Sequence, residues 1–391
     1  MAAPTGTEVS HWLARGADAP PPAAELPTEA EVVVVGGGVV GVATAYWLAR
    51  RGAAPLLLEA HGLAHGASGR NGGLVLAGRS RLEDPATLRA VLREERIDAD
   101  YEELGHLALA SSESVLERFR DELARRPPDA PPLDVLDHAQ CEDLLGMAIA
   151  PSFAGGRWLP GGALADPVRL VGGLAEAAVR HGAALATSTR VLRLTVSGDG
   201  VRIETTRGRV RAERVVVACG FRTAELVGAG GLLRPVRGQM LSTEPAPPLF
   251  RPGMALDFGT VYWRQARDGA IVAGGCNHVD FAAEATARTA VNPRIQAALE
   301  RFFAESFPGL PPLAVARRWA GIMDETLDGR PVVGRWQSER VWLAAGFGGH
   351  GLPPALGVGR ALAAALAGEP ARELEPLSPE RFAENGAEVA A

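Results

Sequence analysis

From Glu31 the chain runs through Val32-Val33-Val34-Val35 without a polar break and then enters glycine. Four consecutive apolar residues suit a strand buried on both faces, as in a parallel sheet covered by helices. Residues 42 to 52 follow with helical spacing and stop at Gly52. Leu56-Leu57-Leu58-Glu59 supplies the next strand, so the segment predicts a βαβ unit. Residues 85 to 125 read as helical; Pro127, Pro128, Pro131 and Pro132 interrupt them before a short strand at Leu133 to Leu136. An amphipathic helix is expected from Asp166 to His181, where an aspartate before Pro167 is a start signal and Gly182 a stop. A meander comes next: Val191 to Val196, a turn at Ser197-Gly198-Asp199-Gly200, Val201 to Thr205, Arg209 to Ala212, and Val215 to Ala218 running into Cys219-Gly220. Longer strands are expected between Pro235 and Gly275, with Arg267-Asp268-Gly269 as a hairpin turn, followed by a helix over residues 293 to 307. Val341 to Ala345 reads as a last strand, then a glycine run and a helix of small residues from Gly357 to Ala367. Residues 1 to 29, with Pro20 to Pro22, show no sustained period and predict an extended surface arm pinned by Trp12 and Leu13.

Composition narrows the chemistry. At about 100 to 200 residues per domain the chain holds two or three domains, and 47% hydrophobic residues can bury a sizeable core. A net charge of -6 leaves no basic surplus for a phosphate backbone, so no nucleic acid partner is expected. No apolar run approaches the ~20 residues that span a bilayer, and no basic stretch followed by an apolar one opens the chain. A soluble, cytoplasmic protein without a membrane partner is expected. Cys141, Cys219 and Cys276 form no Cys-x-x-Cys pair, and no His-Glu-x-x-His pair occurs, so neither a disulfide scaffold nor a metal site is expected. Gly66-Ala67-Ser68-Gly69 lacks the second spacer of a serine nucleophile elbow. All 40 basic residues are arginine, and without lysine no Schiff base forms, which excludes pyridoxal phosphate and lysine aldolase chemistry.

What remains points to a dinucleotide. Gly36-Gly37-Gly38-Val39-Val40-Gly41 has G-x-G-x-x-G spacing between the first strand and helix. Gly36 permits the tight turn, Gly38 lets backbone approach a pyrophosphate, and Gly41 lets helix and strand pack closely. The helix N-terminus attracts the phosphate charge, and Glu59 ends the second strand where a carboxylate accepts ribose hydroxyls. Gly66 to Gly73 is too rich in glycine for a helix; such a loop either offers N-H groups to a second phosphate and a flavin or is only a surface loop.

Ser10-His11-Trp12, the βαβ unit, this loop, Pro235-Val236-Arg237-Gly238-Gln239-Met240, Val261-Tyr262-Trp263-Arg264 and Gly346-Phe347-Gly348-Gly349-His350-Gly351 stand in the order seen in D-amino-acid oxidase-like flavoproteins. The chain resembles the glycine oxidase, sarcosine oxidase and gamma-glutamylputrescine oxidase branches over nearly its whole length. The resemblance implies an α/β fold with a discontinuous Rossmann-type FAD-binding domain, residues 30–84, 150–233 and 318–391, plus a substrate domain with a large mixed β-sheet, residues 85–149 and 234–317. It implies FAD contacts at Gly36, Gly38, Gly41, Glu59 and Ala60, and along the loop at Ser68, Arg70, Asn71, Gly72 and Gly73. Further contacts are implied at Val191 and Gly220, and at Gly346, Gly348, Gly349, His350, Gly351 and Leu352, where a turn between strand and helix aims backbone dipoles at the flavin. Asn71 stands where some relatives carry the flavin covalently, so FAD is expected to be noncovalent.

Tyr262 resembles a substrate-binding tyrosine of glycine oxidase. Alternate strand residues share a face, so Arg264 is expected beside it, with Trp263 turned to the core. Tyr262, Arg264, His278 and His350 are the candidate catalytic residues; the alternatives are a rim arginine, a solvated loop histidine and a structural histidine. Met323 stands where glycine oxidase has its carboxylate-holding arginine, Pro353 where sarcosine oxidase has a lysine, and Ile271 near the place of the oxygen-activating lysine. These departures argue against simple glycine-like substrates and leave Arg264 as carboxylate partner, or an amine with its tail near Asp324 and Glu325, unless those two form an ordinary solvated turn. The implied function is FAD-dependent oxidation of a carbon-nitrogen bond in an amine or amino-acid derivative, with oxygen or another electron acceptor. A hydroxy-acid dehydrogenase and a flavin-bearing electron-transfer subunit of a larger complex are the alternatives.

Overall fold

The computed structural model describes residues 9–382, apart from 17, 18, 21, 24, 77–79 and 129. Among them Glu29–Val35 takes a central place in an eight-stranded sheet, as its uninterrupted valines require. It runs parallel to Leu56–Leu58 on one side and to Gly208–Val217 on the other. Ala184–Ala186 extends the first side. On the other, Gly208–Val217 serves two neighbours at once: its first half pairs with Gly200–Thr205, and its last residues pair with Val341–Ala345. Val191–Ser197 and Val332–Arg335 complete the sheet. Helices Val39–Arg50, Pro167–Arg180 and Ala355–Leu366 pack together in the core that covers one face.

The second eight-stranded sheet follows the order Val315–Glu325, Arg234–Thr243, Ile271–Gly275, Val261–Gln265, Gly253–Leu256, His106–Ala110, Gly155–Leu159, Asp134–Asp137. Its pairs are antiparallel except for Gly253–Leu256 beside His106–Ala110, so it is mixed, as expected. Helix Pro293–Ser306 packs behind it, its Phe303 meeting Trp263 edge to face, while Phe250 and Phe307 also meet the fully buried Trp263 edge to face.

Three expectations are corrected. Residues 85 to 125 are not one helical region: between Pro85–Glu94 and Glu113–Ala124 lies the fully buried strand His106–Ala110. Its Leu and Ala favour helix locally, but ladders to neighbours on both sides override that preference. Gly155–Leu159 and Val315–Glu325 belong to the second sheet, although boundaries at 150 and 318 assign the first and most of the other to the cofactor domain. Pairing with His106–Ala110 and with Arg234–Thr243 decides their places. Finally, the arm does not simply lie on the surface. His11–Arg15 is a short helix whose N-cap, Ser10, accepts from the Leu13 N-H, and both Ser10 and Trp12 are buried. Residues 1 to 8 of that arm lie outside the described residues. Among the described residues no helix is long and apolar enough to cross a membrane.

Candidate cofactor and substrate site

A cavity of about 670 Å³ opens where the C-terminal ends of the parallel strands, at Val35, Leu58, Ala218 and Ala344, meet the second sheet at Gly238, Met240, Tyr262 and Gly321. Open α/β sheets bind ligands at this end of their strands. Helix Val39–Arg50 begins three residues earlier than expected, with Gly38 as N-cap, so its unsatisfied N-H groups lie at the cavity. Crowding alone demands two of the glycines. Gly36 has φ 117°, and a Cβ there would lie 2.3 Å from the Ala218 carbonyl oxygen. At Gly41 a Cβ would lie 2.0 Å from the Gly36 carbonyl oxygen, which shows why this residue packs the turn while not itself lining the cavity.

Glu59 is held in place before any ligand arrives: one oxygen accepts from the Gly37 N-H at 2.6 Å and the other from the His61 N-H at 2.7 Å. Ala60, Val191 and Gly220 line the same end, and the Ser68 hydroxyl caps the helix by accepting from Val39 N-H at 3.0 Å. Cys219 donates its thiol proton to the Val35 carbonyl at 3.3 Å, and burial pushes its pKa up to about 12, so it is a neutral packing group. Along the loop, Ser68, Arg70 and Asn71 line the cavity, whereas Gly72 and Gly73 do not. Gly72 lies against the Tyr262 ring and Gly73 against the Ala165 carbonyl.

The second-sheet end carries less charge. Tyr262 lines it and donates to the Met240 sulfur at 3.2 Å; burial pushes the phenol up to about 12 and keeps it protonated. Arg264 does share the face of Tyr262, but the glycine loop and the N-terminal helix cover that face one step farther along. It is 1% exposed, donates to the carbonyls of Ala165 at 2.9 Å and Gly73 at 3.3 Å, lies 5.4 Å from the Trp12 ring, and does not line the cavity. Desolvation lowers it to about 10, so it stays cationic at neutral pH. The expectation that it meets substrate is therefore corrected. His278 sits exposed on the turn Asn277–Val279, and His350 is exposed beside the glycine run; neither lines the cavity. Gly349, Gly351 and Leu352 do line it, whereas Gly346 and Gly348 shape the turn behind.

Asp324 is no solvated turn. It is 7% exposed within strand Val315–Glu325 and lines the cavity beside Met323. Burial pushes its carboxyl up to about 6, against the opposing pull of hydrogen bonds from backbone that include the Gly346 N-H at 2.6 Å. Glu325 points to solvent and does not line the cavity. Sequence reasoning missed Met240 as a cavity residue, although its period-two spacing from Gly238 was a usable signal. Ala287 and Thr289, which also line the cavity, carried no such signal.

A crowded glycine turn at a helix N-terminus, an acid closing the second strand and a cavity shared with a mixed sheet define a two-sheet dinucleotide-binding oxidoreductase scaffold, and these residues fit FAD. The family model "FAD dependent oxidoreductase" matches residues 31–365. The chain belongs to that family, and its cofactor is FAD. It is 30% identical to an opine oxidase subunit of Rhizobium meliloti over 80% of this chain and 86% of that one. It is 28% identical to mitochondrial dimethylglycine dehydrogenase of Rattus norvegicus over 96% of this chain and 48% of that one. The crystal structure of glycine oxidase from Geobacillus kaustophilus shares the fold with a TM-score of 0.80 at 24% identity, over 90% of this chain and 98% of that one.

Proposed function

We propose that the protein oxidises a carbon-nitrogen bond in an amine or amino-acid derivative to the imine, and that the substrate presents a cationic or polar group to Asp324. FAD, when bound, supplies the two-electron acceptor for the hydride on the carbon next to nitrogen. The observation that carries the reading is the charge balance of the second-sheet end. Asp324 is its buried carboxyl, Met323 stands beside it, and Arg264 is turned away into backbone contacts. A free carboxylate against the Met323 thioether would have to share Arg70, a cation of the lining whose guanidinium already donates to the His65 and Ala320 carbonyls, whereas an ammonium near Asp324 would have a carboxyl partner. The Tyr262 ring closes one wall and its protonated hydroxyl offers a polar contact.

In this reading FAD is noncovalent and lies along Gly36, Gly38, Glu59, Ala60, Ser68, Arg70, Asn71, Val191 and Gly220, with Gly349, Gly351 and Leu352 at its far end; all of these line the cavity. The two-domain division is part of the proposal, with strands Gly155–Leu159 and Val315–Glu325 grouped with the substrate sheet. Ile271 stands near the place of the oxygen-activating lysine, and Arg70 lines the cavity as a fixed positive charge, so oxygen and another electron acceptor both remain open in this reading. A cytoplasmic setting, with no nucleic acid partner, accords with the net charge of -6 and the buried, unpaired Cys141 and Cys276. The test is anaerobic bleaching of the bound flavin by a panel of amines, amino acids and hydroxy acids. Bleaching by amines ahead of matched free amino acids supports the reading. Bleaching by hydroxy acids alone overturns it, and silence toward the whole panel turns the case toward an electron-transfer subunit.

A further inference from the structure

The glycine loop that borders the cavity is held from behind by side chains far away in sequence. The Gly69 carbonyl accepts from the Ser10 hydroxyl at 2.5 Å, and the Arg70 carbonyl from the Trp319 indole at 2.9 Å. The Asn71 carbonyl accepts from the Trp12 indole at 2.7 Å, and the Gly73 carbonyl from Arg264 at 3.3 Å. Two of these four donors belong to one short segment before the first strand. That segment is itself tied down: Arg15 reaches Asp100 at 3.4 Å, Asp268 at 3.5 Å and Asp166 at 3.6 Å, and His11 reaches Asp268 at 3.2 Å. Trp12 is 0% exposed, and its ring covers the guanidinium of Arg264. Ser10, Trp12 and Arg264 therefore form one unit, with Arg264 as a positioning residue.

A glycine-rich segment loses more conformational freedom on ordering than any other, so without these bonds it would sample many backbones. Its side chains at Ser68, Arg70 and Asn71 face the cavity while its carbonyls are gripped on the other side. We propose that the segment Ser10–Arg15 is an internal clamp of the cofactor site: its docking sets the backbone of residues 69–73 for FAD, and FAD in turn holds the segment down. The second half follows from the first, because two binding events that favour one conformation stabilise each other by the same factor. This rests on the proposed seat of FAD along the loop.

Hydrogen exchange of residues 9–16, read by mass spectrometry on the holoenzyme and on the same chain stripped of FAD, tests the coupling directly. Exchange of this segment should slow when FAD is bound. Equal exchange in the two forms overturns the proposal, whatever any variant does. In parallel, release of FAD from holoenzyme, followed by the rise in flavin fluorescence, should quicken roughly 2- to 10-fold in Trp12→Phe, which keeps the ring and removes the N-H, and similarly in Ser10→Ala. Glu59→Ala separates the two ideas. If it leaves FAD release unchanged, the proposed seat of FAD is wrong. If it speeds release while Trp12→Phe and Ser10→Ala match wild type, the seat stands and the clamp does not.

Discussion

The two ends of the cavity are built on different principles. At the cofactor end the working groups are mostly backbone: the start of helix Val39–Arg50, the glycine turn before it and the gripped loop at 69–73. Side chains there, Glu59 and Ser68, already spend their hydrogen bonds on holding backbone N-H groups. At the second-sheet end the working groups are side chains on strands, and among them Asp324 is a buried charge whose state changes near neutral pH. The first end presents a fixed shape for a constant ligand. The second presents replaceable side chains on a stiff sheet, where, on the proposed seating of FAD and substrate, a substrate preference can change without disturbing FAD.

The comparison breaks most visibly at the glycine turn. Gly41→Val would drive a Cβ into the Gly36 carbonyl and should cost more than about 4 kcal/mol, leaving colourless or insoluble protein; a yellow, stable variant would show that the turn has slack. Arg264→Ala comes next. It strands the Ala165 carbonyl, leaves the Gly73 carbonyl with only the Ala165 N-H at 2.9 Å, and empties the space under Trp12, so we expect about 2 kcal/mol of lost stability and faster loss of FAD. KM ratios between carboxylated and plain amines should stay the same, and a KM rise confined to carboxylated substrates would return Arg264 to the pocket.

Glu59→Ala should weaken FAD retention by about 1.5 to 3 kcal/mol for each ribose bond lost, read by titrating stripped protein with FAD. Substrate preference should not change. Asp324→Asn has the smallest expected effect, about 1.5 kcal/mol in kcat/KM for a cationic amine above pH 7, and none on FAD affinity. The sign of its pH dependence is set by burial: the folded pKa of about 6 lies above the ordinary 3.8. Stability from the protonated acid is therefore full below 3.8 and lost as pH rises through about 6. Substrate attraction runs the other way and grows as the acid ionises. Asp324→Asn should flatten both limbs, in thermal unfolding and in the kcat/KM profile respectively; unchanged profiles would remove Asp324 from the substrate end.

Much of the cofactor end was readable because it is contiguous. The strand, turn, helix and second strand from Glu29 to Leu58 obey local rules of period and glycine placement, and Glu59 follows directly from them. The strands and the hairpin turn of the second sheet between Pro235 and Gly275 were also legible as alternation with turn residues. Even the shared face of Tyr262 and Arg264 came from that alternation.

The sequence by itself settled the opening βαβ order, the dinucleotide turn, and the absence of lysine with all the chemistry that removes. Tertiary structure alone decided that His106–Ala110 is a strand, that Arg264 grips a loop while Tyr262 faces the cavity, and that Asp324 is buried. It also docked the segment at Ser10 to Arg15, expected as a surface arm, against the glycine loop. The physical reason is the same in each case. Local pattern fixes which way a residue points along its own element, but what covers that face comes from chain tens to hundreds of residues away. Burial, partner and charge state follow from the cover.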